Sequence, residues 1–251
     1  HVKTIKTESL DDLFSCFKKY KTSPYSVAWI NCMPMDKNKM KGIFQVGKFL
    51  DDGDFNYRRS KSINLPFYFP SFVLSNTLMK LFNLIYLTVN PTREEKGLNI
   101  EKFFFPLDVI GKWNRAYGKK GFIQYQFVLP IENSKDGLNE ILTIIAQTKF
   151  KPFLSVLKLL GKENDNYLSF PRSGYTLSLD FKITRGLFDF LDELDAIVIK
   201  HKGRIYLAKD ARTSEKNFKA NYKNAELFRE YRNQNNMTKI FNSFQSKRLG
   251  I

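Results

Sequence analysis

The first residues whose types and spacing could do chemistry are the two glutamines of GFIQYQFVLP, residues 121–130. In a strand, Gln124 and Gln126 share one face with Phe122 and Val128, while Ile123, Tyr125, Phe127 and Leu129 take the other. Amides in an apolar row need internal partners if buried, bind ligand hydroxyls if they line a cavity, or sit on a half-exposed face. In FLSVLKLL (153–160), Lys158 shares a row with Leu154, Val156 and Leu160. Its ammonium either snorkels to the rim or meets an anionic ligand. In YTLSLDF (175–181), Thr176, Ser178 and Asp180 alternate with apolar residues, a pattern that by itself favours a solvent face. In GRIYLAKDARTS (203–214), Tyr206 and Lys209 lie three apart and converge only if the chain bends near Ala208. The Asp-Ala-Arg-Thr-Ser that follows has the turn and capping residues for such a bend.

The elements that must position these side chains form a regular series. Gly121–Pro130 reads as a strand, Ser134–Gln147 as a helix, Phe153–Leu160 and Gly174–Phe181 as strands, Arg185–Lys202 as a helix and Arg204–Ala208 as a strand. This β-α-β-β-α-β order is that of a ferredoxin-like unit, so the expected class is α+β, with a mainly antiparallel sheet and helices on one face. Upstream, Thr7–Tyr20 reads as a helix and Tyr25–Asn31 and Gly42–Phe49 as strands. Short helices are expected around Glu215–Tyr222, Asn224–Arg232 and Phe241–Arg248.

Composition narrows the classes. The 251 residues, 43% hydrophobic, can bury a sizeable core, and disorder is expected only near 36–41, 51–62 and 91–99. Cys16 and Cys32 make no disulfide framework, and with His1 and His201 they have no zinc-site spacing, so a reduced setting and no metal are expected. There is no P-loop and no GxGxxG, and two histidines leave no room for a Ser-His-Asp arrangement. The first residues have no signal-peptide core, and a start on His1 fits a fragment or a processed chain. FVLSNTLMKLFNLIYLTV (72–89) is interrupted by Asn76, Lys80 and Asn83, and a central lysine costs roughly 3 kcal/mol on insertion scales. It reads as a buried helix or one lying on a membrane surface, not as a span, and the expected location is cytoplasmic or peripheral at a membrane. The net charge is +16, and residues 201–251 hold 12 Lys/Arg against 4 Asp/Glu. These charges are interspersed with acids and apolar residues, so a solvated basic surface is expected, not a nucleic-acid interface.

At these same residues the sequence resembles a known family. FFFPLDVIGKWNRAYGKKGFIQYQFVLP (103–130), SVLKLLG (155–161), GRIYLAKDARTS (203–214), YSVAWINC (25–32) and KRLGI (247–251) are similar to the C-terminal part of the decaprenylphosphoryl-β-D-ribose 2-oxidase family. That family consists of flavoproteins of the vanillyl-alcohol-oxidase fold group, related to the aldonolactone oxidases. The resemblance implies a substrate (cap) domain over 1–203 and a return segment over 204–251 packed on an N-terminal FAD-binding domain absent from this chain.

The resemblance also implies site roles. Gln124 and Gln126 line the sugar pocket, Lys158 stands near the ligand, and Trp29 forms part of the wall. Thr176 and Ser178 stand where relatives carry Asn and Cys. Tyr206 and Lys209 reach the isoalloxazine and substrate as catalytic and cofactor-binding residues, with Lys209 stabilising anionic reduced flavin. The implied reaction is hydride transfer from C2 of a polyprenyl-phosphoryl ribose to FAD, the oxidising half of an epimerisation to arabinose, with a short-chain reductase as partner. An aldonolactone oxidase is the alternative within the same chemistry. Outside it stands a non-catalytic basic module that binds an anionic partner.

Overall fold

The computed structural model describes residues 1–53, 57 and 62–251. The elements are β1 (Val2–Thr7), α1 (Leu10–Lys19), β2 (Tyr25–Ile30), β3 (Gly42–Gly47), β4 (Ile63–Asn64), α2 (Asn76–Val89), β5 (Arg93–Glu95), α3 (Ile100–Phe104) and β6 (Ile110–Gly111). They continue with β7 (Phe122–Pro130), α4 (Ile131–Gln147), β8 (Leu154–Leu160), β9 (Gly174–Lys182), α5 (Leu187–Lys200), β10 (Arg204–Ile205), α6 (Glu215–Asn221), α7 (Ala225–Gln234), α8 (Met237–Ile240) and α9 (Phe244–Leu249).

Eight strands form one antiparallel sheet in the order β10-β7-β9-β8-β2-β3-β1-β5, and β4 pairs with β6 in a small parallel sheet. The large sheet has an internal symmetry of layout. In β7, β8, β9 and β10 the spatial order is fourth, first, third, second, and β1, β2, β3 and β5 repeat it in mirror order. The halves meet where Ala28 pairs with Leu157 and Trp29 with Val156. The class is α+β and mostly antiparallel, as the alternation and periodicity of the second half imply.

The core forms because period-2 apolar faces meet period-3.6 apolar stripes. Phe44, Ala28, Leu157, Leu177 and Phe127 pave one sheet face beneath Leu13 and Phe17 of α1, Leu138, Ile141 and Ile145 of α4, and Leu187, Leu191, Leu194 and Val198 of α5. Ser9 caps α1 by accepting the Asp12 N–H at 3.1 Å.

Three expectations change. The expected helix over Thr7–Tyr20 begins only at Leu10, because Val2–Thr7 pairs with β3 and β5 as a strand. The helices are not confined to one face. Leu87 and Tyr86 of α2 lie on the opposite face against Trp29, Ile43 and Leu154. Nor is α2 a buried helix. It buries Met79, Asn83 and Leu87 and exposes Leu78, Leu81, Phe82, Leu84, Ile85 and Val89. Among the described residues, no helix is long and apolar enough to cross a membrane. Of the stretches expected to be irregular, 36–41 holds a 3-10 turn, 91–99 holds β5, and 51–62 lies largely outside the described residues.

Candidate active site

The sheet face opposite α1, α4 and α5 carries the polar side chains singled out by alternation. Directly paired residues of antiparallel strands point to the same side. Gln126 pairs with Ser178, Ser178 with Val156, and Val156 with Trp29, which makes one row across four strands. The next row joins Gln124, Asp180 and Leu154, and the row on the other side joins Val128, Thr176 and Lys158. Six of the eight expected site residues therefore share one face.

Asp180 is the centre of this face. It is 1% exposed. The Gln124 Nε2 donates to its Oδ1 at 2.8 Å, and the Tyr117 hydroxyl donates to its Oδ2 at 3.4 Å. Burial pushes the carboxyl up to about 6, against the lowering effects of the Gln124 hydrogen bond, the Lys209 charge and the Tyr117 hydroxyl. Burial, reinforced by Asp180, holds the Tyr117 hydroxyl far above the usual tyrosine range, so it stays a donor. Tyr117 closes a 3-10 turn over Trp113–Tyr117 and stacks on Phe122 at 4.1 Å. A sequence segment some sixty residues upstream of Asp180 thus covers the carboxylate, which alternation alone assigned to a solvent face.

Lys209 reaches this site from the other side. β10 ends at Ile205, three residues short of the Ala208 end of the expected Arg204–Ala208 strand, and Leu207–Lys209 turns as a 3-10 helix. The bend required for Tyr206 and Lys209 to converge is therefore present. The Tyr206 N–H still donates to the Gln126 carbonyl at 2.8 Å, and its ring stacks on Phe170 at 4.3 Å. Burial lowers the Lys209 ammonium below the usual lysine range, Asp180 opposes that shift, and the Lys158 charge adds to it. A partly buried cation beside a second cation gains from any anion brought to the face.

The loop carrying Lys209 is fixed by charge. Asp210 accepts the N–H groups of Arg212 and Thr213 at 3.0 and 2.8 Å and the Arg248 guanidinium at 2.9 Å. Burial works to raise the Asp210 carboxyl, but these donors hold it below the usual carboxylate range. Arg212 donates to Asp195 at 2.7 Å and also to Asp192. Asp195 is wholly buried and also accepts the Tyr125 hydroxyl at 2.9 Å and the Asn217 amide at 3.1 Å. The KRLGI ending closes this arrangement, with Leu249 buried and Gly250 in the left-handed region at φ 70°. Ser214 caps α6 by accepting the Asn217 N–H at 3.2 Å.

The remaining expected residues occupy distinct positions. Thr176 is buried. Its hydroxyl donates to the Phe127 carbonyl at 2.8 Å and accepts from Gln126 Nε2 at 3.0 Å. Ser178 is half-buried in the Gln126 row, next to the Gln124–Asp180 row, and Lys158 is exposed. Trp29 is 9% exposed and packs edge-on against Tyr86 at 4.9 Å, under α2 and away from Lys209. Strand patterning did not single out Asp180 and Tyr117, which the structure joins to Gln124 on this face. The signal available was that Asp180 shares the parity of Thr176 and Ser178. Among the described residues, no group of three His, Cys, Asp or Glu could hold a metal ion.

Comparison with known proteins bears on what this face does. The chain is 31% identical over 236 residues to a protein named decaprenylphosphoryl-beta-D-ribose oxidase from Mycolicibacterium smegmatis, a match covering 90% of this chain and 51% of the relative. It is 37% identical over 97 residues to an uncharacterized protein in the mprA 5' region of Streptomyces coelicolor, covering 38% of this chain and 26% of that protein. The chain therefore spans about half the length of the mycobacterial relative. No family model matches it.

Proposed function

We propose that this chain, which belongs to the decaprenylphosphoryl-β-D-ribose oxidase-like family by that similarity, supplies the substrate side of an FAD-dependent oxidoreductase that oxidises the C2 hydroxyl of a polyprenyl-phosphoryl ribose. The finer architecture belongs to the same reading: a ferredoxin-like cap domain over 1–203, a return segment over 204–251, and an FAD-binding part contributed by residues outside this chain. The observation that carries it is the meeting of Lys209, Asp180 and Gln124 on one polar sheet face.

The donor set fits a flavin edge and a sugar. When bound, FAD supplies the two-electron chemistry, taking a hydride from the carbinol carbon. Tyr206 and Lys209 would hold its edge, and the Lys209 charge would stabilise the negative charge that reduction places there. The Gln124 and Gln126 Nε2 groups are committed to Asp180 and Thr176, so each amide oxygen is the acceptor offered to sugar hydroxyls. Lys158 stands exposed for the anionic part of the substrate. Asp180 acts as a positioning residue: it is too enclosed to touch the sugar, and it holds Gln124 directly and Lys209 through its charge. The hydroxyl proton passes to Lys209 or to a group outside this chain. A short-chain reductase would then consume the ketone.

The test is anaerobic flavin bleaching in the flavin-loaded protein. A short prenyl-phosphoryl ribose should bleach the flavin, and an aldonolactone should do so far more slowly. A flavin-loaded protein that no sugar reduces would overturn the reading.

A further inference from the structure

Lys209 stands on a turn whose chain neighbours are tied down on both sides. The Ile205 N–H donates to the Asn221 side-chain oxygen at 3.0 Å, and the Ile205 carbonyl accepts the Tyr222 hydroxyl at 2.6 Å. From Leu207 onward the partner is α9. Gln245 Nε2 donates to the Leu207 carbonyl at 2.7 Å, and Arg248 donates to the Asp210 carboxylate at 2.9 Å and to the Thr213 carbonyl. The reaches to Leu207 and Asp210 have the same offset, 38 residues in each case. Gln245 and Arg248 are three apart on a helix and so share a face. Leu207 and Asp210 are three apart on a 3-10 turn, where such positions eclipse. One helix face therefore matches one turn face in register, and position 209 falls about 120° round the turn from it. α9 is itself firmly seated. Ser243 and Ser246 form a capping box, and Leu249 is buried with Phe218, Tyr222 and Ala225 in a cluster against which Leu207 also packs.

That apolar cluster is reason enough for α9 to dock, and it asks for no donor at 245 or 248. Fixing a long amide and a guanidinium costs rotamer freedom, and what the two side chains fix is the backbone on either side of Lys209. The Asp195–Arg212 pair grips the segment after the turn, whereas α9 grips the turn itself. We propose that Gln245 and Arg248 are positioning residues that together hold the Lys209 turn in the shape presenting its ammonium to the polar face. On the functional reading above, on which this step rests, that ammonium is the charge at the flavin edge. Such a charge acts to the extent that it is fixed in place before the negative charge develops. Without Arg248, Asp210 still accepts the N–H groups of Arg212 and Thr213, so the turn loosens without unfolding.

The first measurement is amide hydrogen exchange in the full chain without flavin. The Lys209 and Asp210 N–H groups donate to the Tyr206 and Leu207 carbonyls. Gln245→Ala/Arg248→Ala should speed exchange at these two amides about tenfold or more and leave the β7–β9 amides as in the parent. Lys247→Ala, at an exposed position of the same helix, should match the parent throughout. If the double variant loosens the β7–β9 amides as well, the single variants Gln245→Ala and Arg248→Ala carry the same test. The second measurement is reduction of the flavin-loaded protein by a short prenyl-phosphoryl ribose. The double variant should lower kcat about tenfold with KM near the parent value, as expected for a misplaced reacting group. Arg248→Lys, which keeps a cation beside Asp210, should recover most of that loss. Unchanged exchange at Lys209 and Asp210 would overturn the proposal. So would parental kcat in a variant whose turn exchanges faster, since the grip would then serve stability alone. Faster exchange at the turn beside a parent flavin that no sugar reduces would sink the oxidase reading and leave α9 as the support of the turn.

Discussion

Gln124 on β7 and Asp180 on β9 are directly paired across the sheet, and the Gln124 amide donates to the Asp180 carboxylate at 2.8 Å. That single bond ties the best-patterned strand in the sequence to the most perturbed acid on the polar face. Because burial raises Asp180 to about 6, its ionisation is harder folded than unfolded. The group therefore stabilises the fold most below its unfolded pKa, near 4, and that contribution is lost as pH rises through 6. Two pKa units correspond to about 3 kcal/mol. Asp180→Asn should remove this dependence. Its stability relative to the parent should rise by that amount between pH 4 and 7, as measured by urea denaturation at each pH. A difference that does not move with pH would refute the assignment.

The sheet itself can be tested at Gly174. A Cβ there would stand 1.9 Å from the Leu129 carbonyl oxygen and 3.0 Å from Pro130 Cα, both backbone atoms of the paired strand. Neither can move without breaking the β7–β9 register. Gly174→Ala should lower stability by about 1–3 kcal/mol, the usual cost of overpacking. An unchanged urea midpoint would mean the strands pair differently.

What was legible in the sequence follows from how local each signal is. The alternation in 121–130 and 174–181 was enough to place Gln124, Gln126, Thr176 and Ser178 on one face, since side-chain parity depends only on the strand itself. The Leu187–Val198 stripe fixed α5 for the same reason. Asp180 was not legible as a buried acid, because its cover is Tyr117, far away in the chain. Val2–Thr7 carries a weak alternation of its own and becomes a strand by pairing with β3 and β5. The packing of α2 over Trp29 was not legible either, since no local pattern announces which face a helix will choose.

Lys209 supplies the sharpest functional test. Its charge acts to lower the Asp180 carboxyl, and it sits on a turn whose geometry is held by Asp210. Lys209→Ala in the flavin-loaded protein should slow flavin reduction on the order of 10²-fold, the scale of losing one preorganised charge at a reacting centre. The melting temperature should hold, since no hydrogen bond of the Lys209 side chain supports the fold among the described residues. Undiminished bleaching by substrate would remove Lys209 from the mechanism.

Asp195 tests whether the Lys209 loop is held by the buried ion pair beneath it. Asp195 is wholly buried, and Arg212, 11% exposed, donates to it at 2.7 Å while lying over the Tyr125 ring at 5.8 Å. Asp195→Ala leaves a guanidinium enclosed without its main anion and should cost about 3–5 kcal/mol. Arg212→Met in that background removes the stranded charge as well, so the double variant should be more stable than Asp195→Ala alone. Urea denaturation of the parent, both single variants and the double variant closes the cycle, and purely additive losses would show that the two residues do not act as a pair. If the pair also positions Lys209, the double variant should fold yet reduce its flavin more slowly than the parent, with the flavin still bound. Parental bleaching in a folded double variant would confine Asp195 and Arg212 to stability alone.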